Sequence, residues 1–369
     1  MRPKRIVTRA PSNIALMKYM GKLDSQKNIP DNPSLSMTLS RLCTVVEVEV
    51  TRGEAESRWV AEAPRFRPLD LSRGGIWASP ELSTSGRSKV LTHVDRVRAL
   101  IPSLYDRFGL EWDQEVWRFG QLQFRTANTF PAASGIASSA SSFAALTLAT
   151  CAAFTRDAEV WNRIWADRSD FRRALAQISR LGSGSSCRSF EGPWVYWEGE
   201  NAFAPVELAL PEMAHFVVLI RTQPKDVSSS EAHLRVKTSP LWAGRVDRVI
   251  HRTTEVLQAM KTADLQAVSR LAWAELWEMH SLFHTAAQPF TYWEPGTLQA
   301  LQFLSQWVGQ DAGPIVTLDA GPNVHLIVDQ KYRDLWLSRL KAEFTGFQIL
   351  EDVQGAGAQI DEWSTDGLG

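Results

Sequence analysis

Residues 127–140 read Ala-Asn-Thr-Phe-Pro-Ala-Ala-Ser-Gly-Ile-Ala-Ser-Ser-Ala. The stretch follows a strand candidate at Val116–Arg125 and runs into an uncharged segment, Ile136 to Phe154, rich in alanine and hydroxyl residues. Strand, glycine-bearing loop and helix in that order make an anion cradle: Gly135 permits close backbone approach, and a helix start offers free N–H groups and the positive end of the helix dipole. Ser138, Ser139, Ser141 and Ser142 crowd that start and add hydroxyls. The pattern is neither a Walker A loop nor GxGxxG. Small residues also allow close helix packing and serines also cap helices, so the local chemistry leaves both readings open.

Outward from this stretch, helices and strands mix without strict βαβ alternation, which predicts an α+β fold. Val45-Val-Glu-Val-Glu-Val50 alternates as a half-buried strand should. Arg52 to Pro80 reads as an elaborated surface hairpin or loop. Val90, Val94 and Val97 predict a helix over Lys89–Leu100, and Phe171–Leu181 predicts another. Trp194–Trp197 reads as a strand. Pro205 to Pro211 marks the passage to a second domain, which opens with Phe216–Ile220. Helices are expected at about 240–260, 264–283 and 295–309, strands near Ile315–Leu318 and His325–Val328, then a helix near Tyr332–Phe344 and a last strand. The expected division is 1–204 and 205–369, in keeping with a chain of 369 residues, long for one core.

Forty basic residues against 41 acidic ones leave a formal charge of −1, so no net field favours nucleic acid or a membrane surface. Cys43, Cys151 and Cys187 are too few and too scattered for a disulfide framework or zinc knuckle, and predict reduced thiols in a cytoplasmic protein. The basic start, Met1–Arg5, is followed by no apolar stretch of signal-peptide length. The Ile136–Phe154 segment holds too many hydroxyls for a membrane span and reads as a buried helix. The fifteen tryptophans carry no functional reading beyond core and interface.

Three further segments could carry chemistry. Arg180-Leu-Gly-Ser-Gly-Ser-Ser-Cys-Arg188 places an arginine beyond a Gly-Ser run, either a fork for carboxylate or phosphate or a linker with a surface arginine. Thr317-Leu-Asp-Ala-Gly-Pro-Asn323 places Asp319 before a turn, either aimed into a cleft or bonding its own backbone. Ala10–Lys22 brings Lys18 and Lys22 beside Tyr19, as phosphate ligands or as solvated lysines. His280 and His284, four apart on a helix, lack a third metal ligand and read as core or capping residues.

These segments, in this order, resemble the diphosphomevalonate decarboxylase branch of the GHMP kinase superfamily. Asn13-Ile-Ala with Lys18-Tyr19 and Gly21-Lys22 resembles its N-terminal signature. Phe130-Pro-(x)3-Gly135-(x)2-Ser138-Ser139-Ala140 is similar to its phosphate loop, Gly182–Ser189 to its substrate loop, and Asp319-Ala-Gly-Pro-Asn323 to its catalytic-aspartate motif. Lys225-Asp-Val-Ser-Ser229 and the Ser281–Ala286 region also look alike. Met20 stands where the family usually has Trp, Ser134 and Ser141 where it usually has Ala, and the segment after Ser229 drifts.

The resemblance implies a ribosomal-S5-domain-2-like N-terminal domain and a ferredoxin-like C-terminal domain with the active site in the cleft between them, in a homodimer. It implies ATP-dependent decarboxylation of (R)-5-diphosphomevalonate to isopentenyl diphosphate, with ATP and Mg²⁺ as cofactors and a small-molecule substrate. Asp319, Arg188 and Lys18 would be catalytic. Pro131, Gly135, Ala137, Ser138, Ser139 and Ser142 would hold ATP. Asn13, Tyr19, Lys22, Arg87, Ser183, Ser185, Arg188 and Ser229 would bind substrate, and no magnesium ligand is singled out. Rival readings are a relative acting on mevalonate, 5-phosphomevalonate or a bisphosphate, and a non-catalytic binding protein on the same scaffold.

Overall fold

Two long strands organise the amino-terminal part of the chain. The computed structural model describes residues 4–52, 56–67, 76–131, 136, 138–223 and 225–364. The strands of this part are β1 (Lys4–Met17), β2 (Lys22–Asp24), β3 (Ile29–Pro30), β4 (Ser34–Arg52), β5 (Arg58–Trp59), β6 (Gly120–Asn128), β7 (Trp194–Glu198) and β8 (Ala202–Pro205). Its helices are α1 (Thr84–Phe108), α2 (Gln114–Phe119), α3 (Ser138–Phe154), α4 (Ala158–Asp167) and α5 (Ser169–Arg180). The rest supplies strands β9 (Met213–Leu219), β10 (Ile315–Thr317), β11 (Val324–Asp329), β12 (Gln348–Val353) and β13 (Gln359–Ser364), with helices α6 (Ser229–Arg235), α7 (Arg245–Lys261), α8 (Leu265–His284), α9 (Pro295–Ser305) and α10 (Arg333–Glu343).

β4 changes partner along its length. Thr44–Arg52 pairs with β6, while Ser34–Met37 pairs with β7, and β1 runs antiparallel along both halves. The first sheet runs β13-β1-β4-β6-β5, with β7 and β8 beside the start of β4. A second sheet runs β10-β11-β9-β12. The chain thus returns at its end to the first sheet, where β13 pairs with β1.

The alternating Val45–Val50 segment is a strand, but its polar face is not open to water. Glu47 is buried, accepting from Arg125 Nη1 at 3.2 Å and from the Arg65 backbone N–H at 2.8 Å. Arg65 and Glu62, in the segment expected as a surface loop, therefore lie against the sheet. The strand expected at Val116–Arg125 is helix to Phe119 and strand from Gly120, because the Asp113 carboxylate caps Glu115 and Val116 at 3.0 Å and starts α2. Helix α1 overruns the expected 89–100 at both ends, from an Ser83 cap to a left-handed Gly109. The short helices α4 and α6 were not read from the sequence. α3 is buried nearly throughout, its alanines letting it lie close on β1 and β4. No described helix is long and apolar enough to cross a membrane.

Candidate active site

The end of β1 is stitched to the second sheet. Thr317 Oγ1, at the end of β10, donates to the Ala15 carbonyl at 2.8 Å. Lys18 lies past the ladder of β1, so its backbone needs other partners. Its N–H donates to Glu275 Oε1 of α8 at 3.2 Å, and its carbonyl accepts from Asn32 Nδ2 at 2.8 Å. Glu275 is buried and held by Arg245, with Arg252 Nη1 at 2.5 Å from its other oxygen. Across this stitch Lys18 Nζ meets Asp319 Oδ1 at 2.7 Å. Asp319 sits on the turn after β10, which Asn323 fixes by accepting the N–H groups of Ile220 and Arg221 at 2.6 and 2.9 Å.

The Lys18 ammonium is 2% exposed while the Asp319 side chain keeps 22%. Burial lowers the Lys18 pKa, and Asp319 and Glu275 draw it back up. The pair therefore presents its carboxylate, more than its ammonium, to the cavity.

Arg188 comes from the Gly-Ser run, a 3-10 turn at Gly184–Ser189. This run is packed and is no linker. A side chain at Gly182 would meet the Phe143 ring at 2.1 Å, and one at Gly184 the Tyr19 ring at 2.7 Å. Arg188 is buried, with Nε near Ser36 Oγ at 3.0 Å and Asn13 Oδ1 at 3.3 Å, Nη1 on Ser34 Oγ at 2.9 Å, and the Trp197 ring 5.5 Å away. These partners are hydroxyls, an amide and a π face, none of them anionic. Burial lowers its pKa, and its charge is available to an incoming carboxylate.

Lys18, Asp319 and Arg188 line one cavity of about 400 Å³, together with Tyr19, Lys22, Ser138, Ser139, Ser183, Ser185 and Ser229. Its described lining carries the cations Lys18, Lys22, Lys89, Arg188 and Lys225 against the single carboxylate of Asp319. Such a cleft attracts a small polyanion.

Residues 10–204 match the family model described as "Diphosphomevalonate decarboxylase-like N-terminal domain", and residues 215–363 match "Mevalonate 5-diphosphate decarboxylase C-terminal domain". The chain belongs to the diphosphomevalonate decarboxylase family. Its relatives there include the mevalonate diphosphate decarboxylase of Legionella pneumophila, whose crystal structure is 33% identical with a TM-score of 0.72 over 94% of this chain and 100% of that one. A solved complex described as "MDDEF in complex with MVAPP, AMPPCP and Magnesium" is 28% identical, TM-score 0.76, covering 97% of this chain and 99% of that chain. The diphosphomevalonate decarboxylase of Eremothecium gossypii is 29% identical over 97% of this chain and 83% of its own. The fold is accordingly the two-domain α+β, GHMP-kinase-like fold of the family.

Several described residues expected at the site of this family member do not line this cavity. Arg87 is exposed, donates to the Leu82 carbonyl at 3.2 Å and lies over Trp59, whereas Lys89 lines the cavity. Asn13 is buried behind Arg188, with Nδ2 donating to Ser189 Oγ at 2.9 Å, so it orients the guanidinium without lining the cavity. Ser142 faces Thr44 at 3.3 Å, and neither it nor Pro131 lines the cavity. Gly135 and Ala137, with Ser134, lie outside the described residues.

Other lining residues were not singled out. Lys225 Nζ donates to Ser229 Oγ at 2.8 Å and to the Ala320 carbonyl at 2.6 Å, and burial lowers its pKa to about 8. His233 and Asn28 also line the cavity. Lys225 lies inside the Lys225–Ser229 segment noted in the sequence; Lys89 and His233 sit within helices α1 and α6, which their sequence does not orient. His280 is buried and packs on Phe283 and Trp293, burial pushing its pKa down to about 3. His284 pairs with Thr291 Oγ1 at 3.2 Å. Among the described residues no cluster of three metal-ligating side chains occurs.

Proposed function

We propose that this chain converts (R)-5-diphosphomevalonate and ATP to isopentenyl diphosphate, ADP, phosphate and CO₂, with Asp319, Arg188 and Lys18 at the reacting centre. The observation that carries the assignment is the cavity itself, where an ammonium–carboxylate pair and a guanidinium without an anionic partner face the same space.

The reaction needs the C3 hydroxyl turned into a leaving group while the C1 carboxylate stays fixed. Asp319 accepts the hydrogen bond of that hydroxyl and takes its proton. Lys18 holds the Asp319 carboxylate in place and offsets charge that develops beside it. Arg188 grips the carboxylate in one plane, so that the electrons of the breaking C1–C2 bond stay aligned with the C3–O bond, and CO₂ and phosphate leave as the double bond forms. Lys22 and Lys89 face the diphosphate.

The site fits ATP. Helix α3 starts at the cavity with no acidic residue in its first turn, Ser138 and Ser139 line the space, and Lys225 faces it. ATP supplies the phosphoryl group that makes the hydroxyl a leaving group. Magnesium takes oxygen ligands and is held largely by nucleotide phosphates; Ser138 and Ser139 offer hydroxyls to it.

We take residues 1–204 and 205–369 as the two functional units, the second lending its last strand to the sheet of the first. Three buried free cysteines suit the reducing cytoplasm. The exposed Leu241, Ile250 and Trp277 suit a homodimer contact; light scattering of the purified chain tests it.

The deciding experiment offers mevalonate, 5-phosphomevalonate and 5-diphosphomevalonate with ATP and measures ADP and CO₂. The expected result is equal release of both from the diphosphate. ADP without CO₂ would make the chain a kinase, and nucleotide binding without turnover on any of the three would make it a binding protein.

A further inference from the structure

His233 reaches the cavity from α6. Its ring lies 4.3 Å from that of Tyr19, and its Nδ1 accepts the backbone N–H of Gly21 at 3.0 Å. A nitrogen that accepts a backbone N–H carries no proton, so the proton of the neutral ring sits on Nε2. Burial and the neighbouring Lys22 keep the ring neutral, with a pKa down at about 3. Gly21 is itself fixed, at φ +90° and with Trp242 packed so closely that a Cβ would lie 2.3 Å from the indole. Among the described residues Nε2 has no hydrogen-bond partner, and it is not sealed from the cavity.

The surroundings of that N–H call for an anion. Lys22 Nζ is met by the neutral Asn28 Oδ1 at 2.7 Å, and Lys89 stands near enough to lower the Lys22 pKa, after burial. The one carboxylate of the described lining, Asp319, is taken by Lys18.

We propose that the Nε2–H of His233 is a fixed neutral donor to the 5-diphosphate of the substrate, and that it makes the enzyme prefer a diphosphate over a monophosphate. The inference rests on the reading of the cavity given above. An ammonium on a flexible stem follows a phosphate group as a point charge. A donor locked in one tautomer and one plane serves only an oxygen at one place, and it is left unpaired when that oxygen is missing.

Two substitutions separate the two ring nitrogens. His233→Asn keeps an acceptor for Gly21 and removes the donor, whereas His233→Gln puts an amide where Nε2 was. His233→Asn should raise KM for 5-diphosphomevalonate by about tenfold or more, the scale of one hydrogen bond to a charged group, with kcat at saturation and KM for ATP nearly unchanged. Calorimetric affinity for inorganic diphosphate should fall alongside, and His233→Gln should recover most of both. A folded Asn variant with unaltered KM and diphosphate affinity would overturn the proposal. So would a fall in kcat alone. If that variant does not fold, titration of the wild-type Nε2–H resonance with inorganic diphosphate decides, and an unmoved signal counts against the proposal. A wild-type chain that binds inorganic diphosphate through His233 but releases no CO₂ from the diphosphate substrate would sink the reaction and leave this donor standing.

Discussion

At the residue scale the proposed chemistry rests on Asp319 and Arg188, and the two should fail differently. Asp319→Asn keeps a partner for Lys18 and the same volume, so fold and nucleotide affinity should persist while kcat drops by about 10²–10⁴, the usual share of a general base. Near-normal turnover would remove Asp319 from that role. Arg188 is gripped through Nε and Nη1 by Asn13, Ser34 and Ser36, a planar arrangement that a lysine ammonium cannot copy. Arg188→Lys should therefore lose both substrate affinity and turnover by an order of magnitude or more (about 10-fold for about 1.4 kcal/mol), with steady-state KM and kcat as the readout; unchanged constants would refute the clamp. That these residues line the cavity was legible because each stands beside glycines, serines or proline that mark a loop. His233 and Lys89 were not, since each sits in the first turns of a helix, where only the fold decides which side chains turn toward the cavity. Arg87 shows the converse: a charged residue close in sequence to the right position, turned away onto Trp59.

At the scale of elements, α7 and α8 hold Lys18 from behind. Glu275 is buried between Arg245 and Arg252, and the same carboxylate receives the N–H of Lys18. Removing its charge leaves Arg245, itself fully buried, short of one counter-ion, and breaking such a pair costs about 3–5 kcal/mol. Glu275→Gln should lower the urea midpoint accordingly and reduce kcat at saturating substrate, because Lys18 loses part of its anchoring. A stable variant with full kcat would mean that the charge of Glu275 is not needed to position Lys18. Sequence periodicity gave α8 well, yet the ion network was invisible, since Glu275 reads as one more polar position on an amphipathic helix. The α2 segment illustrates the opposite weakness: its strand-like residues were overruled by the single cap Asp113.

At the scale of the molecule, Asp352 of β12 joins the two sheets. Its carboxylate accepts the N–H groups of Ser40, Arg41 and Leu42, where β4 changes partners, at 3.2, 2.9 and 2.8 Å. Burial pushes its pKa up to about 6, against the pull of these N–H donors. An unfolded Asp titrates near 3.9, so between about pH 4 and 6 the folded chain holds this proton more tightly than the unfolded one. The contribution of Asp352 to stability is thus greatest at low pH, declines as pH rises through that window, and is level above it. Asp352→Asn should flatten this part of the stability–pH curve measured by urea unfolding; a curve parallel to wild type would place the carboxylate's titration elsewhere. The α+β class was readable from the mixture of element types. Closure of the first sheet by a returning strand was not, because pairing such as that of Arg5 with Ser364 leaves no trace in local pattern.

That returning strand sets an order on biosynthesis. β1 carries Asn13 and delivers Lys18, yet its outer edge stays bare until β13 leaves the ribosome. At about 5–20 residues per second the wait is on the order of tens of seconds, during which an unpaired edge is open to wrong partners. A chain stopped short of Gln359 would possess the described groups that line the cavity and still leave Arg5–Arg9 of β1 unpaired on one side, so even a late truncation should lower its stability.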